Sequence, residues 1–274
     1  MIIDSLTHIL PTEVSSNINK YKKIDQFFDS LFDVKTKIIG AEDLIENMKN
    51  NNIDKSIVAG FGWNDYGLAS LVNEYIYEAS NMYQGKIIPL CSLDINSRFS
   101  EEELLKCISR GVKGIGELHI DYDDKLEKNS IFKNILNIAI ENNIPILIHG
   151  SEPVGHLYKG KGNNDPKKLY ELVKNNPLNK FIFSHFGGGL VFYEQMPEIK
   201  KAFKNVFYDS SAQPFLYNKI IYKNAINCSS LRKILFASDF PLINMKRCLS
   251  ETSYLNDEEK SHIFSLNSIS AYNL

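Results

Sequence analysis

Cysteine is scarce and scattered in this chain. Cys91, Cys107, Cys228 and Cys248 show no CxxC spacing, which argues against a cysteine metal site or a dense disulfide framework and leaves reduced thiols, as in a cytoplasmic protein. No apolar run approaches the ~20 residues of a membrane span. Met1–Pro11 carries Asp4 inside its apolar run and has no basic leader, so it does not read as a signal peptide. Neither sign of charge dominates. With 31 Lys and Arg against 33 Asp and Glu, the net charge is −2, which removes the draw toward nucleic acid or an anionic membrane. The HxE and PCxxC pair of zinc deaminases is missing. So is a GxGxxG after the first apolar run, the main reason to prefer a doubly wound sheet. There is no internal repeat, low-complexity tract or linker.

What is present is enough apolar material for a large core, 43% of 274 residues, arranged as strand-length runs alternating with helix-length stretches. The runs are 2–9, 55–61, 86–93, 112–119, 144–149, 179–185, 205–210 and 233–238. Helical periodicity falls at about 41–51, 66–83, 100–110, 129–142, 166–175, 192–203, 216–226, 244–250 and 256–268. Ser100 with Glu103, and Asn256 with Glu259, have capping-box spacing. Asp165–Pro166 reads as an N-cap followed by a first-turn proline. Eight such units predict a distorted (β/α)8 barrel forming one α/β domain over 1–274. The long connection 11–40 is expected to carry partial helix around Tyr21–Lys23 and Phe27–Phe28. At that barrel face it would serve as a lid or wall.

Five of the runs end in chemically capable side chains. In the first, strict alternation puts Asp4, Leu6 and His8 on one face. Glu117 follows Gly116 in the fourth, with His119 two residues further out. The fifth ends in His149, the sixth in His185 and the eighth in Asp239. An imidazole at the end of a continuous apolar run is costly to bury unless both ring nitrogens find partners, and a metal on one with a hydrogen bond on the other meets that need. A carboxylate such as Asp239 binds a metal or accepts a proton from its water. Gly187–Gly189 give room for a ligand or serve a tight turn. Trp63, Glu152, His156, Lys159 and Asp209 are candidate substrate contacts. Each also has a plain structural reading: packing for Trp63, a solvated loop for Glu152, His156 and Lys159, hydrogen bonding for Asp209.

The ordered set Ile3-Asp4-Ser5-Leu6-Thr7-His8, His149, His185 and Ser238-Asp239 resembles the metal-dependent amidohydrolase superfamily. The nearest branch is amidohydrolase-2, which includes aminocarboxymuconate-semialdehyde decarboxylase-like enzymes. The resemblance covers nearly the whole chain. It implies a barrel with one divalent metal at its C-terminal mouth, held by His8, His149 and Asp239, with Asp239 as general base and His185 polarising substrate. Leu6 departs from the motif, standing where the first histidine of HxH belongs. Glu117 is then a further candidate ligand, and manganese or iron suits the set as zinc does.

These features lead to a metal-dependent hydrolase of a small amide, ester or lactone, with Asp239 and His185 catalytic. Two alternatives stand beside it: a non-oxidative decarboxylase using the same site, and a metal-free barrel that binds a small molecule without turnover. The expected partner is a small-molecule substrate. A homodimer is suggested by fold analogy alone.

Overall fold

Runs such as Ile146-Leu147-Ile148 and Phe181-Ile182-Phe183 are buried along their whole length, as strands covered on both faces must be. Among the described residues they belong to eight parallel strands: β1 Ile3–Thr7, β2 Lys55–Val58, β3 Ile87–Pro89, β4 Ile115–Leu118, β5 Ile146–Ile148, β6 Phe181–Phe183, β7 Val206–Asp209 and β8 Ile234–Leu235. The computed structural model describes residues 1–32 and 36–274. Strands β1–β3 form one ladder and β4–β8 another. The Cys91–Ile115 and Thr7–Phe240 bridges join the two edges, so the strands close into the predicted barrel.

Leu6, Ile57, Ala59, Leu90, Leu147, Ile182, Leu235 and Ala237 fill the interior as one apolar cluster. A second cluster lies between the strands and the surrounding helices. The helices follow the predicted order, from Ala41–Asn50 to Asn267–Tyr272. Asp165 caps Pro166–Asn175 by accepting from the amides of Lys167 and Lys168. The Asn256–Glu259 box is formed in both directions. Ser100, however, lies inside its helix and makes no box with Glu103. Its hydroxyl donates to the Asp94 carbonyl in the preceding turn, while Glu103 accepts from Asn73 and Ser70 on another helix, so both side chains have partners other than the local cap.

The connection after β1 carries three short helices, Thr12–Ser16, Ile18–Ile24 and Gln26–Leu31; the part of the predicted 11–40 connection at 33–35 lies outside the described residues. Strict alternation fails in β1. A register shift falls between Asp4 and Thr7, and Ile3 and Leu6 both join the interior cluster. Asp4 instead reaches toward the end of β8 and accepts from the Ser238 amide at 2.9 Å and from its hydroxyl.

Candidate metal centre

The strand ends meet at one mouth, around a cavity of about 810 Å³ lined by His8, Glu117, His119, His149, His185 and Asp239. Glu117 sits at its centre. Gly116, just before it, has φ +132° and packs so closely on β5 that a Cβ would lie 2.4 Å from the Leu147 carbonyl oxygen. The two Glu117 oxygens divide the surrounding histidines. Oε1 lies 3.1 Å from His149 Nδ1 and 3.9 Å from His185 Nε2, and accepts from the Ser184 hydroxyl at 2.6 Å. Oε2 lies 3.4 Å from His119 Nε2 and 3.7 Å from His8 Nε2.

The outward ring nitrogens decide what the inward ones present. His8 Nδ1 is 2.9 Å from the Ala59 carbonyl, His149 Nε2 is 3.0 Å from the Lys161 carbonyl, and His185 Nδ1 is 2.9 Å from the Ser211 carbonyl. A carbonyl only accepts, so each of these nitrogens carries the hydrogen. The inward nitrogens of the neutral rings are therefore lone pairs. His149 Nδ1 and His185 Nε2 face one another at 3.2 Å. His8 Nε2 stands 3.2 Å from Asp239 Oδ1 and is buried without a well-directed hydrogen bond among the described residues. Lone pairs and carboxylates converging in this way repel unless positive charge lies between them. Glu117, His149 and His185 offer ligand atoms all within 4.8 Å of one another, a donor set of two nitrogens and one oxygen that fits a divalent cation.

The electrostatics favour positive charge at this centre. Burial alone would raise the Glu117 carboxyl, but the imidazoles of His119 and His149 outweigh it and hold it well below the ordinary value. Burial would lower His8 and His185. The facing carboxylates, Asp239 first and then Glu117, raise both. His119 also faces Glu117, which raises it, but burial and His149 outweigh that pull. It stacks on His149 at 4.2 Å, and burial together with that neighbour lowers it to about 4.

The other predicted residues are spread more widely. His156 and Lys159 line the mouth cavity. Glu152 does not; its carboxylate accepts from the hydroxyls of Tyr158 and Tyr217. Trp63 is fully buried against Phe27, Phe28 and Phe61 and borders a smaller neighbouring cavity of about 370 Å³. Asp209 is buried behind the site, where it accepts from Ser211 and from the His185 amide and so holds His185 in place. Burial raises its carboxyl to about 7. Gly187–Gly189 all have positive φ and form a tight turn, with Gly188 against the Ser151 backbone.

His119 and Phe61 both line the cavity; the sequence placed His119 beyond Glu117 but ranked it below the other histidines, and it passed over Phe61. His119 directly follows β4, the strand that carries Glu117, and so reaches the same mouth. Phe61 stacks on His8 at 4.2 Å and 14°, a pairing between strands that spacing does not carry.

Solved structures with this fold include 5-carboxyvanillate decarboxylase from Novosphingobium aromaticivorans with manganese and 4-hydroxy-3-methoxy-5-nitrobenzoic acid. It is 15% identical, with TM-score 0.78, covering 100% of this chain and 96% of that one. A 2,6-dihydroxybenzoate decarboxylase from Rhizobium is 13% identical, with TM-score 0.71 and coverage of 99% and 98%. A structure named "probable 2-pyrone-4,6-dicarboxylic acid hydrolase" from Acinetobacter baumannii, with citric acid bound, is 14% identical, with TM-score 0.68 and coverage of 100% and 99%. No curated protein matches the chain in sequence. Residues 58–274 match the family model Amidohydro_2, described as amidohydrolase, and the chain belongs to that family.

Proposed function

We propose that the protein is a divalent-metal-dependent decarboxylase of a small carboxylic acid with an apolar body. The observation that carries this is the convergence of three imidazole lone pairs, each fixed by an outer hydrogen bond to a carbonyl, on Glu117 and Asp239. Glu117, His149 and His185 would hold the cation, and a bound divalent ion supplies positive charge that grips the reacting acid and steadies the electron pair left on carbon. Manganese in the similar carboxyvanillate decarboxylase supports that ion beside zinc.

The assignment moves His185 from substrate polarisation to metal binding, and moves His8 and Asp239 to proton handling. Loss of carbon dioxide leaves the bonding pair on the substrate carbon, which must then take up one proton. His8 Nε2 and Asp239 Oδ1, 3.2 Å apart at the cavity wall, can share that proton and release it to carbon. Phe61 keeps the His8 ring in plane. Leu10, Phe32, Ile39 and Leu216 line the cavity above and keep water from competing for the reacting centre. Lys159 and His156 at the wall suit an anionic substrate.

Hydrolysis of a lactone or ester is the second reading, favoured by the similarity to the pyrone dicarboxylic acid hydrolase. Chelator-stripped protein, titrated with Mn²⁺ and Zn²⁺ and then offered aromatic carboxylic acids, lactones and esters, tests both. About one equivalent of bound metal is expected, lost in Glu117→Gln and His149→Ala, with carbon dioxide released from an acid. Failure to bind either ion removes both readings. Turnover of a lactone or ester without carbon dioxide selects the hydrolase.

A further inference from the structure

Residues 152–163 follow β5 with no regular secondary structure. Their two ends are pinned together: the Ser151 amide donates to the Asn164 carbonyl at 2.9 Å, and the Asn164 amide donates to the Ser151 hydroxyl at 3.2 Å. This is the form of an Ω-loop, compact and with its ends close. The Lys161 ammonium closes the interior by donating to the carbonyls of Val154 and His156. One side of the loop, with His156, Tyr158, Lys159 and Gly160, is a wall of the mouth cavity. Gly160 rests against Leu31 from the β1 connection so closely that a Cβ would lie 2.3 Å from Leu31 Cδ2. The loop and the helix Gln26–Leu31 thus meet beside the cavity.

Glu152 and the Lys161 carbonyl help to hold the loop down. Outside the cavity, Glu152 accepts from Tyr158 within the loop at 3.0 Å and from Tyr217 beyond β7 at 3.3 Å. Next to the metal centre, the Lys161 carbonyl accepts from the Ser151 hydroxyl and from His149 Nε2. That second bond comes from the ring whose other nitrogen faces Glu117 and His185.

We propose that residues 152–163 are a lid coupled to metal binding through the His149–Lys161 carbonyl hydrogen bond, with Glu152 as the residue that positions it. The inference rests on the metal-centre reading above. A cation on His149 Nδ1 withdraws electron density from the ring and makes Nε2–H a stronger donor, so metal tightens the lid. Reciprocity then requires that a seated lid tighten the metal. Outer hydrogen bonds of this kind shift metal affinity by about 10–100-fold when removed.

The test is amide exchange across 152–163 in the intact protein, with and without saturating Mn²⁺, with bound metal measured in the same samples. Exchange in the loop slows about tenfold or more with metal, while the helix Tyr66–Met82 is unchanged. Glu152→Gln, which keeps one of the two tyrosine bonds, and the Tyr158→Phe/Tyr217→Phe pair both exchange faster there. Both also bind Mn²⁺ several-fold more weakly, at an unchanged global unfolding midpoint. A merely structural Glu152 would lower the midpoint and leave metal affinity alone, which overturns its positioning role. Bound metal with unchanged loop exchange overturns the coupling and leaves the metal centre standing. No bound metal overturns both.

Discussion

Asp4 is buried at the β1–β8 junction with hydrogen bonds from Ser238 and from the Leu6 amide. Burial outweighs those bonds and raises its carboxyl from 3.8 to about 7. The folded chain therefore keeps a proton that the unfolded chain releases. That contribution to stability is complete below about pH 4 and is lost as pH rises through 7, a change on the order of 4 kcal/mol. Asp4→Asn keeps an acceptor for the Ser238 amide and removes the titration. In chelator, its urea midpoint relative to the parent is expected to rise between pH 5 and pH 8; parallel pH profiles for the two proteins would refute the assignment. Leu6 is plainer. Its side chain belongs to the apolar interior, and Glu117 takes the central place among the ligand candidates. The sequence marked the Leu6 departure and named Glu117 as a further candidate ligand. It could not show that the two Glu117 oxygens face different histidines, because that depends on how β4 and β5 sit side by side.

Strand β4 brings its carboxylate to the mouth through an unusually close backbone approach. Gly116 has φ +132° and faces the Leu147 carbonyl, so Gly116→Ala combines strain of about 1–3 kcal/mol with a clash. It is expected to lower the thermal midpoint and weaken Mn²⁺ binding together, because Glu117 must shift. Gly111→Ala is the control: φ there is +88°, with open space around the added carbon. It should cost stability alone, and a matching loss of Mn²⁺ affinity in calorimetry would count against the Gly116 argument. Element type was legible for all eight strands and nearly every helix, since apolar runs of strand length between helical periods leave few choices. The misjudged details share a cause. Ser100–Glu103 and the β1 alternation obey local rules, and each was overruled by a partner outside the local pattern: the nearby Asp94 carbonyl and the more distant Asn73 in one case, Ser238 in the other.

At the scale of the whole molecule, closure of the barrel turns scattered strand ends into one site. A ligand that binds only this closed form stabilises it by mass action, by about 2.7 kcal/mol at one hundred times its dissociation constant. Mn²⁺ or Zn²⁺ is therefore expected to raise the thermal midpoint of the parent in a concentration-dependent way and to leave His149→Ala unmoved. Equal shifts in both would place the ion elsewhere. The sequence by itself determined the alternating elements, the barrel, and the presence of His8, Glu117, His149, His185 and Asp239 at strand ends, because periodicity and run length are local properties. Only the tertiary structure decided that Trp63 and Asp209 stand behind the cavity wall, that Glu152 clasps two tyrosines, and that the outward imidazole nitrogens of His8, His149 and His185 meet backbone carbonyls. Those outcomes depend on carbonyls and hydroxyls supplied by other parts of the chain, at Ala59, Lys161 and Ser211. Such partners are set by how strands pack, and spacing along the chain does not encode them.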